Sequence, residues 1–244
     1  MVSERGTMYI LYKTSDDRHR KSYEEVIEIF KKEDFIFIEE NNFREQLLCI
    51  CKKSIAKTIG LFVDDMIFIK NINYKKIVNI NTLDYVVSLS RGKDMDYSIV
   101  LKKKLIMPEF TKYDDEFLCF RWDYSQVFSD WTYPIGVSGY FYGRDELVVM
   151  LHSTLFKMPN SLESNLQKFK PMFINRFGMC LEQISCVCIH ANIVQTECIN
   201  PVLGTFTIED LLVNWESGFM IDLKHFFGIT GAAAQFQDYQ FIKR

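Results

Sequence analysis

The feature that most constrains this chain is residues 60–69, G-L-F-V-D-D-M-I-F-I, where an apolar run stops on two adjacent acids and then resumes. Leu61, Phe62 and Val63 read as a buried strand that ends at Asp64 and Asp65, and burial begins again at Ile67, Phe68 and Ile69. Carboxylates at a strand end stand at the mouth of a sheet, where open α/β sheets bind their ligands. Two of them suit an oxygen-preferring divalent cation able to bridge to a diphosphate. The plainer reading is a charged strand-to-loop corner, because acids favour turns.

The segments before it alternate. Residues 8–12, M-Y-I-L-Y, read as a first strand running into Thr14, Ser15, Asp16 and Asp17. Hydroxyls and acids there can contact a nucleotide, and they also make an ordinary turn and helix cap. Residues 22–32 place Val26, Ile27, Ile29 and Phe30 at helical spacing, with Ser22 as the expected cap and Glu25 three positions on. A short strand at 35–38 and a helix over 43–59, closed by Gly60, complete the pattern. Arg44 falls in the first turn of that helix, where it can hold a phosphate or serve as a surface arginine. Strands alternating with helices predict an α/β domain with a Rossmann-like, mixed but mostly parallel sheet.

The alternation weakens further on. Residues 71–76 read as a short helix or loop, and 84–90 as a strand ending at Arg91 and Gly92. Helical patterns follow at 146–155, 160–168 and 207–216, with a late buried strand at 184–189 leading to His190, Asn192 and Gln195. Between 117 and 142 aromatic residues are dense. Most read as core, while Trp131 and Tyr140, next to turn residues, are the ones expected to face a sugar ring. No repeat, low-complexity tract or linker divides the 244 residues, so one domain is expected.

Composition narrows the function classes. With 48% apolar and 25% charged residues the chain is globular, and a net charge of −3 gives no general attraction to nucleic acid. Lys102, Lys103 and Lys104 are followed by acids at Glu109, Asp114, Asp115 and Glu116, which makes a solvated face and leaves room for peripheral contact with anionic lipid. Seven cysteines, mostly inside apolar runs, read as buried reduced thiols; the pairs Cys49/Cys51 and Cys186/Cys188 lack the partners of a zinc site. No segment approaches the roughly 20 apolar residues of a membrane helix, so a soluble, cytoplasmic protein is expected. His19, His152, His190 and His225 offer no nucleophile or metal spacing, and no Walker A loop or G-x-G-x-x-G is present.

Taken in order, short pieces resemble a family of small bacterial glycosyltransferases of the GT-A fold. They are Y-K-T-S at Tyr12, S-Y-E at Ser22, F-R at Phe43, F-V-D-D at Phe62 and S-L-S-R-G at Ser88. They continue with D-W-T-Y-P-I-G-V-S-G-Y-F-Y from Asp130, A-N-I-V-Q from Ala191, F-T-I-E-D-L-L from Phe206 and the terminal F-I-K-R. The resemblance implies a nucleotide-sugar half, residues 1–100, and an acceptor half, residues 101–244. It implies transfer of a sugar from a nucleotide donor to the hydroxyl of a glycan or glycolipid, in surface polysaccharide or lipopolysaccharide assembly. Asp64 and Asp65 would hold Mg²⁺ or Mn²⁺ and the diphosphate. Thr14, Ser15, Arg44 and Arg91 would hold the nucleotide, and Trp131, Ser138, Gly139, Tyr140, Asn192 and Gln195 the sugars. The family pattern has a third acid where Met66 stands, an aspartate at Ser138, a histidine at Tyr140 and another histidine at Ala234. Those departures make a catalytically silent module, binding nucleotide sugar, glycan or a partner protein, the alternative.

Overall fold

The computed structural model describes residues 6–122, 124–125, 129–189, 206–229, 233–236 and 239–244. The chain opens with β1 (Met8–Tyr12), α1 (Asp17–Ile29), β2 (Phe35–Glu39) and α2 (Phe43–Lys53). β1 and β2 pair in parallel, Met8 opposite Phe35 through Tyr12 opposite Glu39. Helix α1 begins earlier than its periodicity predicts: Asp16, in extended backbone, caps it by accepting from the His19 amide at 2.9 Å, so Ser22 is an interior residue. A carboxylate there also faces the positive helix end. Asn42 caps α2, accepting from Glu45 N at 3.2 Å, and the helix stops at Ser54.

The stretch predicted as the rest of that helix, residues 54–59, is instead a loop that runs into β3 (Thr58–Leu61). The reason lies far away in sequence. A Cβ on Gly60 would come within 2.8 Å of the Phe141 ring, so Gly60 is the place where a neighbouring strand's aromatic ring crosses β3. After β3 the chain turns at Asp64 and Asp65 into β4 (Met66–Phe68), with Met66 N donating to Val63 O at 3.3 Å.

Next come α3 (Tyr74–Val78), β5 (Tyr85–Gly92), β6 (Tyr97–Ser98), β7 (Lys103–Lys104), β8 (Phe110–Lys112) and β9 (Phe117–Phe120). The C-terminal part supplies β10 (Tyr140–Gly143), α4 (Arg144–His152), α5 (Pro159–Leu166), α6 (Lys170–Phe173), β11 (Phe177–Leu181) and β12 (Cys186–Cys188). It closes with α7 (Ile208–Glu216), β13 (Phe219–Ile221) and β14 (Phe241–Lys243). The central sheet runs β3-β10-β5-β11-β9-β8. Of its pairings only β5 with β11 is parallel; β10 is antiparallel to both β3 and β5, and β9 to both β11 and β8. The expectation of a mostly parallel sheet is therefore corrected: the sheet is mixed and mostly antiparallel. Local alternation marks β1-α1-β2, but the insertion of β10 between β3 and β5 is made by residues with large sequence separation, which no window can read.

Both faces of this sheet are covered. Along each strand the side chains alternate, so Val86, Leu118, Phe120, Tyr140, Tyr142 and Cys180 enter one core with Leu147, Met150 and Leu151 of α4 and Leu162 and Leu166 of α5. Val87, Leu89, Phe117, Phe141 and Met179 enter another with Tyr74 and Ile77 of α3. Each fully buried side chain of this size contributes about 1.5–3 kcal/mol. Among the described residues, no helix is long and apolar enough to cross a membrane.

Candidate functional site

The two acids sit in the tight turn between β3 and β4, Asp64 exposed and Asp65 half-buried. Asp64 lies near the first βα unit: Tyr23 of α1 stacks on Tyr12 of β1 at 4.5 Å, and its phenol is pushed up by burial and then by the charge of Asp64. Next to Tyr12, Thr14 keeps its Oγ1 buried with no hydrogen-bond partner among the described residues. Ser15 is exposed, and its hydroxyl meets His19 Nδ1 at 3.2 Å.

On the other side of the turn, three sequence-distant pieces converge on β12. This strand pairs antiparallel with β4, Cys188 opposite Met66, and the amide of Ile189 donates to Asp65 O at 3.0 Å. The amide of Cys188 donates to Ala234 O and its carbonyl accepts from Phe236 N, each at 2.9 Å, which lays Gln235 alongside the strand. The thiol of Cys188 is pushed well above its ordinary pKa by burial first and the charge of Asp65 next, against a hydrogen bond with the Ser138 side chain. Gly139 completes the junction. Its φ of 79° lies in the left-handed region, and an added Cβ would meet the Met66 methyl at 3.1 Å and Cys186 Sγ at 3.2 Å. Asp65, Met66, Ser138, Gly139 and Ala234, scattered over 170 positions of sequence, thus meet around one short strand.

Behind this junction the loop of residues 130–139 is fixed by a buried polar network. Arg91, 5% exposed, donates from Nε and Nη2 to Asp130 O at 3.0 and 2.6 Å, and from Nη2 to Tyr133 O at 3.2 Å. Its Nη1 donates to Ser88 Oγ at 3.2 Å and to the Tyr140 phenol. Tyr142 grips Gly136 at both ends, donating to its carbonyl at 2.6 Å and accepting from its amide at 2.9 Å. Burial of the Glu163 carboxyl raises its pKa, opposed by a hydrogen bond from the Val137 backbone and by the charge of Arg91.

Several expected site residues are placed elsewhere by this geometry. Arg91 has five N–H donors and directs all of them at protein acceptors, which makes it the anchor of the 130–139 loop. Arg44 clamps the end of α4, donating to Thr154 O at 2.8 Å and His152 O at 2.9 Å, and pairs with Glu45 at 2.7 Å. Trp131 is fully buried, with Phe110 and Phe120 edge-on to it at 5.5 and 4.9 Å. Tyr140, 2% exposed with its phenol pushed up to about 12 by burial, donates to Tyr133 O at 2.8 Å. The expectation that Trp131 and Tyr140 face a sugar is corrected: both are core, because the loop beside them folds back under the Arg91 network. Asn192, Gln195 and His190 lie outside the described residues. Sequence reasoning passed over Tyr23, Cys188 and Glu163, and only the i, i+2 spacing of Cys186 and Cys188 hinted that one strand face carried both thiols.

Two adjacent carboxylates are the hard donors of the turn, with the Met66 thioether in third place; among the described residues no three His, Cys, Asp or Glu side chains gather around one point. Such a pair suits Mg²⁺ when substrate phosphates and water complete its octahedron. A cavity of about 370 Å³ opens at the start of β5 and β11, lined by Leu83, Tyr85, Met172 and Phe177. None of the converging residues lines it, and its one arginine, Arg176, is held by Glu146.

Fold and site together define a mixed α/β protein in which an acidic turn, a glycine loop and the edge of a buried strand share one junction. The chain is similar to the bifunctional glycosyltransferase pgtA of Dictyostelium discoideum, with 23% identity over 229 residues. That similarity covers 83% of this chain and 29% of pgtA, so the chain spans less than a third of the relative's length. No family model and no solved structure matches the chain.

Proposed function

We propose that the chain is a glycosyltransferase that moves a sugar from a nucleotide-sugar donor to the hydroxyl of a glycan or glycolipid, on a GT-A-like scaffold. The observation that carries this reading is the convergence of Asp65, Ser138, Gly139 and Ala234 at one junction, with Asp64 adjoining it in the same turn, together with the similarity to a glycosyltransferase. In the reaction the acceptor oxygen bonds to the anomeric carbon, the bond from that carbon to the nucleotide phosphate oxygen breaks with its electron pair going to the departing phosphate, and the hydroxyl proton passes to solvent water. Asp64 and Asp65 would hold Mg²⁺ or Mn²⁺, which when bound stabilises charge on the departing phosphate. Thr14 and Ser15 stand beside the β1 end, where a nucleotide would lie, and the buried Thr14 hydroxyl gains a partner from it. Arg91 orients rather than binds, by fixing the loop that presents Ser138.

The test is thermal unfolding against UDP-, GDP-, CMP- and dTDP-sugars, with and without Mn²⁺, on the natural protein and on Asp65→Ala. Binding at ~100 times the dissociation constant adds about 2.7 kcal/mol of stability by mass action. A metal-dependent shift lost in Asp65→Ala supports the reading. The absence of a shift with every donor overturns it.

One observation favours a second reading, a silent binding module. Met66 fills the third position with a methyl packed at Gly139 in place of a metal donor. Donor binding without release of free nucleotide in the presence of acceptors would select it.

A further inference from the structure

Residues 97–104 form a hairpin whose base is fixed and whose tip is bare. β6 and β7 pair Tyr97 with Lys104 and Ser98 with Lys103, and the tip is closed by Leu101 N donating to Ser98 Oγ and Lys102 N to Ile99 O, each at 3.3 Å. Met95 and Leu105, 1% and 7% exposed, root it in the core, and Asp94 Oδ1 accepts from Ile184 N at 2.8 Å. Five consecutive residues, from the tip down through β7, are exposed: Val100, Leu101, Lys102, Lys103 and Lys104. Ile106 follows at 69% exposure. Apolar side chains at an exposed tip lose hydration only if something apolar receives them, and among the described residues none of the three lysines has an acidic partner.

We propose that this hairpin docks the protein on an anionic membrane surface. Val100, Leu101 and Ile106 enter the boundary between headgroups and acyl chains, and Lys102, Lys103 and Lys104 lie against headgroup phosphates. The combination of an apolar tip and one-signed charge is what selects lipid. A second exposed apolar group, Phe219, Met220 and Leu223, lies among charges of both signs, Glu216 and Asp222 beside Lys224 and Lys243, and so lacks that combination. With a net charge of −3 the chain as a whole is not drawn to anionic lipid, so the attraction is local to this hairpin. The inference stands apart from the transfer reaction.

Co-sedimentation of the full chain with vesicles of phosphatidylcholine, and of phosphatidylcholine mixed with phosphatidylserine, tests it. The protein should pellet with the mixed vesicles and release as salt rises. Lys103→Gln/Lys104→Gln should weaken that binding about thirty-fold, the worth of two lysines at an anionic surface. Val100→Ser/Leu101→Ser should weaken it too, leaving a remainder that salt abolishes fully. Lys52→Gln/Lys53→Gln, exposed at the end of α2, should bind as the natural protein does. Because every substituted side chain is exposed, thermal unfolding of each variant should match the natural protein. Equal partitioning to both vesicle types, no pelleting with either, or hairpin variants that bind unchanged would overturn the proposal.

Discussion

Arg91 donates from Nη1 to the phenol oxygen of Tyr140, and that phenol donates in turn to the carbonyl of Tyr133 at 2.8 Å. The relay joins β5 to β10 and ties both to the loop that carries Ser138. Because the guanidinium satisfies acceptors on Ser88, Asp130, Tyr133 and Tyr140 at once, a smaller cation cannot replace it. Arg91→Lys, with three donors, should cost about 3 kcal/mol in urea unfolding. A variant as stable as the natural protein would show that the network is not what fixes the loop.

Gly139 and Met66 should be energetically coupled. Gly139→Ala places a methyl at a φ of 79° and against the Met66 methyl, and should cost about 1–2 kcal/mol. In Gly139→Ala/Met66→Ala the clash with Met66 disappears while the Cys186 contact and the backbone part stay, so the double variant should lose less than the sum of the singles. Strict additivity in the double-mutant cycle would disprove the contact.

The ion pair of Glu146 and Arg176 closes α4 onto the turn before β5. Both side chains are about a tenth exposed, at 12% and 10%, and Arg176 Nη1 also donates to Thr82 O at 2.8 Å. Removing one partner leaves a poorly solvated charge, so Glu146→Gln should cost about 3 kcal/mol. The double variant Glu146→Leu/Arg176→Met should recover much of that loss, read by equilibrium unfolding.

Alkaline stability should follow the buried thiols. Burial raises Cys51 to about 11 and Cys180 to about 12 from an ordinary value near 9, and Cys186 and Cys188 rise as well. Between about pH 9 and 11 the unfolded thiols have lost protons that the folded ones keep. Stability, complete below pH 9, therefore falls through that window, each thiol adding a slope approaching about 1.4 kcal/mol per pH unit. Unfolding free energies at pH 8 and pH 10.5 check the sign. Alkylation followed by peptide mapping should label exposed Cys49 first and leave Cys51, Cys180, Cys186 and Cys188 protected in the folded chain.

Much of the local structure is legible in the sequence. The helix read over 207–216 is α7, and its start is fixed by a capping box, Thr207 N donating to Asp210 Oδ2 at 2.8 Å and Asp210 N to Thr207 Oγ1 at 3.1 Å. The acidic turn after an apolar run, the strand at 85–92 and the helices at 144–152 and 159–166 are read within a few residues for the same reason: caps, periodicity and turn chemistry reside in neighbouring positions. Helix α2 is overextended because Gly60 reads locally as a helix stop, whereas it serves as the gap under Phe141.

The sequence by itself determined that strands and helices alternate at the start of the chain, that the cysteines are mostly interior, and that two acids mark a turn. Only the tertiary structure decided that β10 enters the sheet between β3 and β5, that Trp131 and Tyr140 are core, and that Arg91 is consumed by its own loop. It alone brought Asp65, Ser138 and Ala234 to Cys188. Chain neighbours set local propensity, but burial and hydrogen-bond partnership are set by residues tens to more than a hundred positions away. A polar side chain thus becomes anchor or ligand contact according to which distant backbone reaches it first.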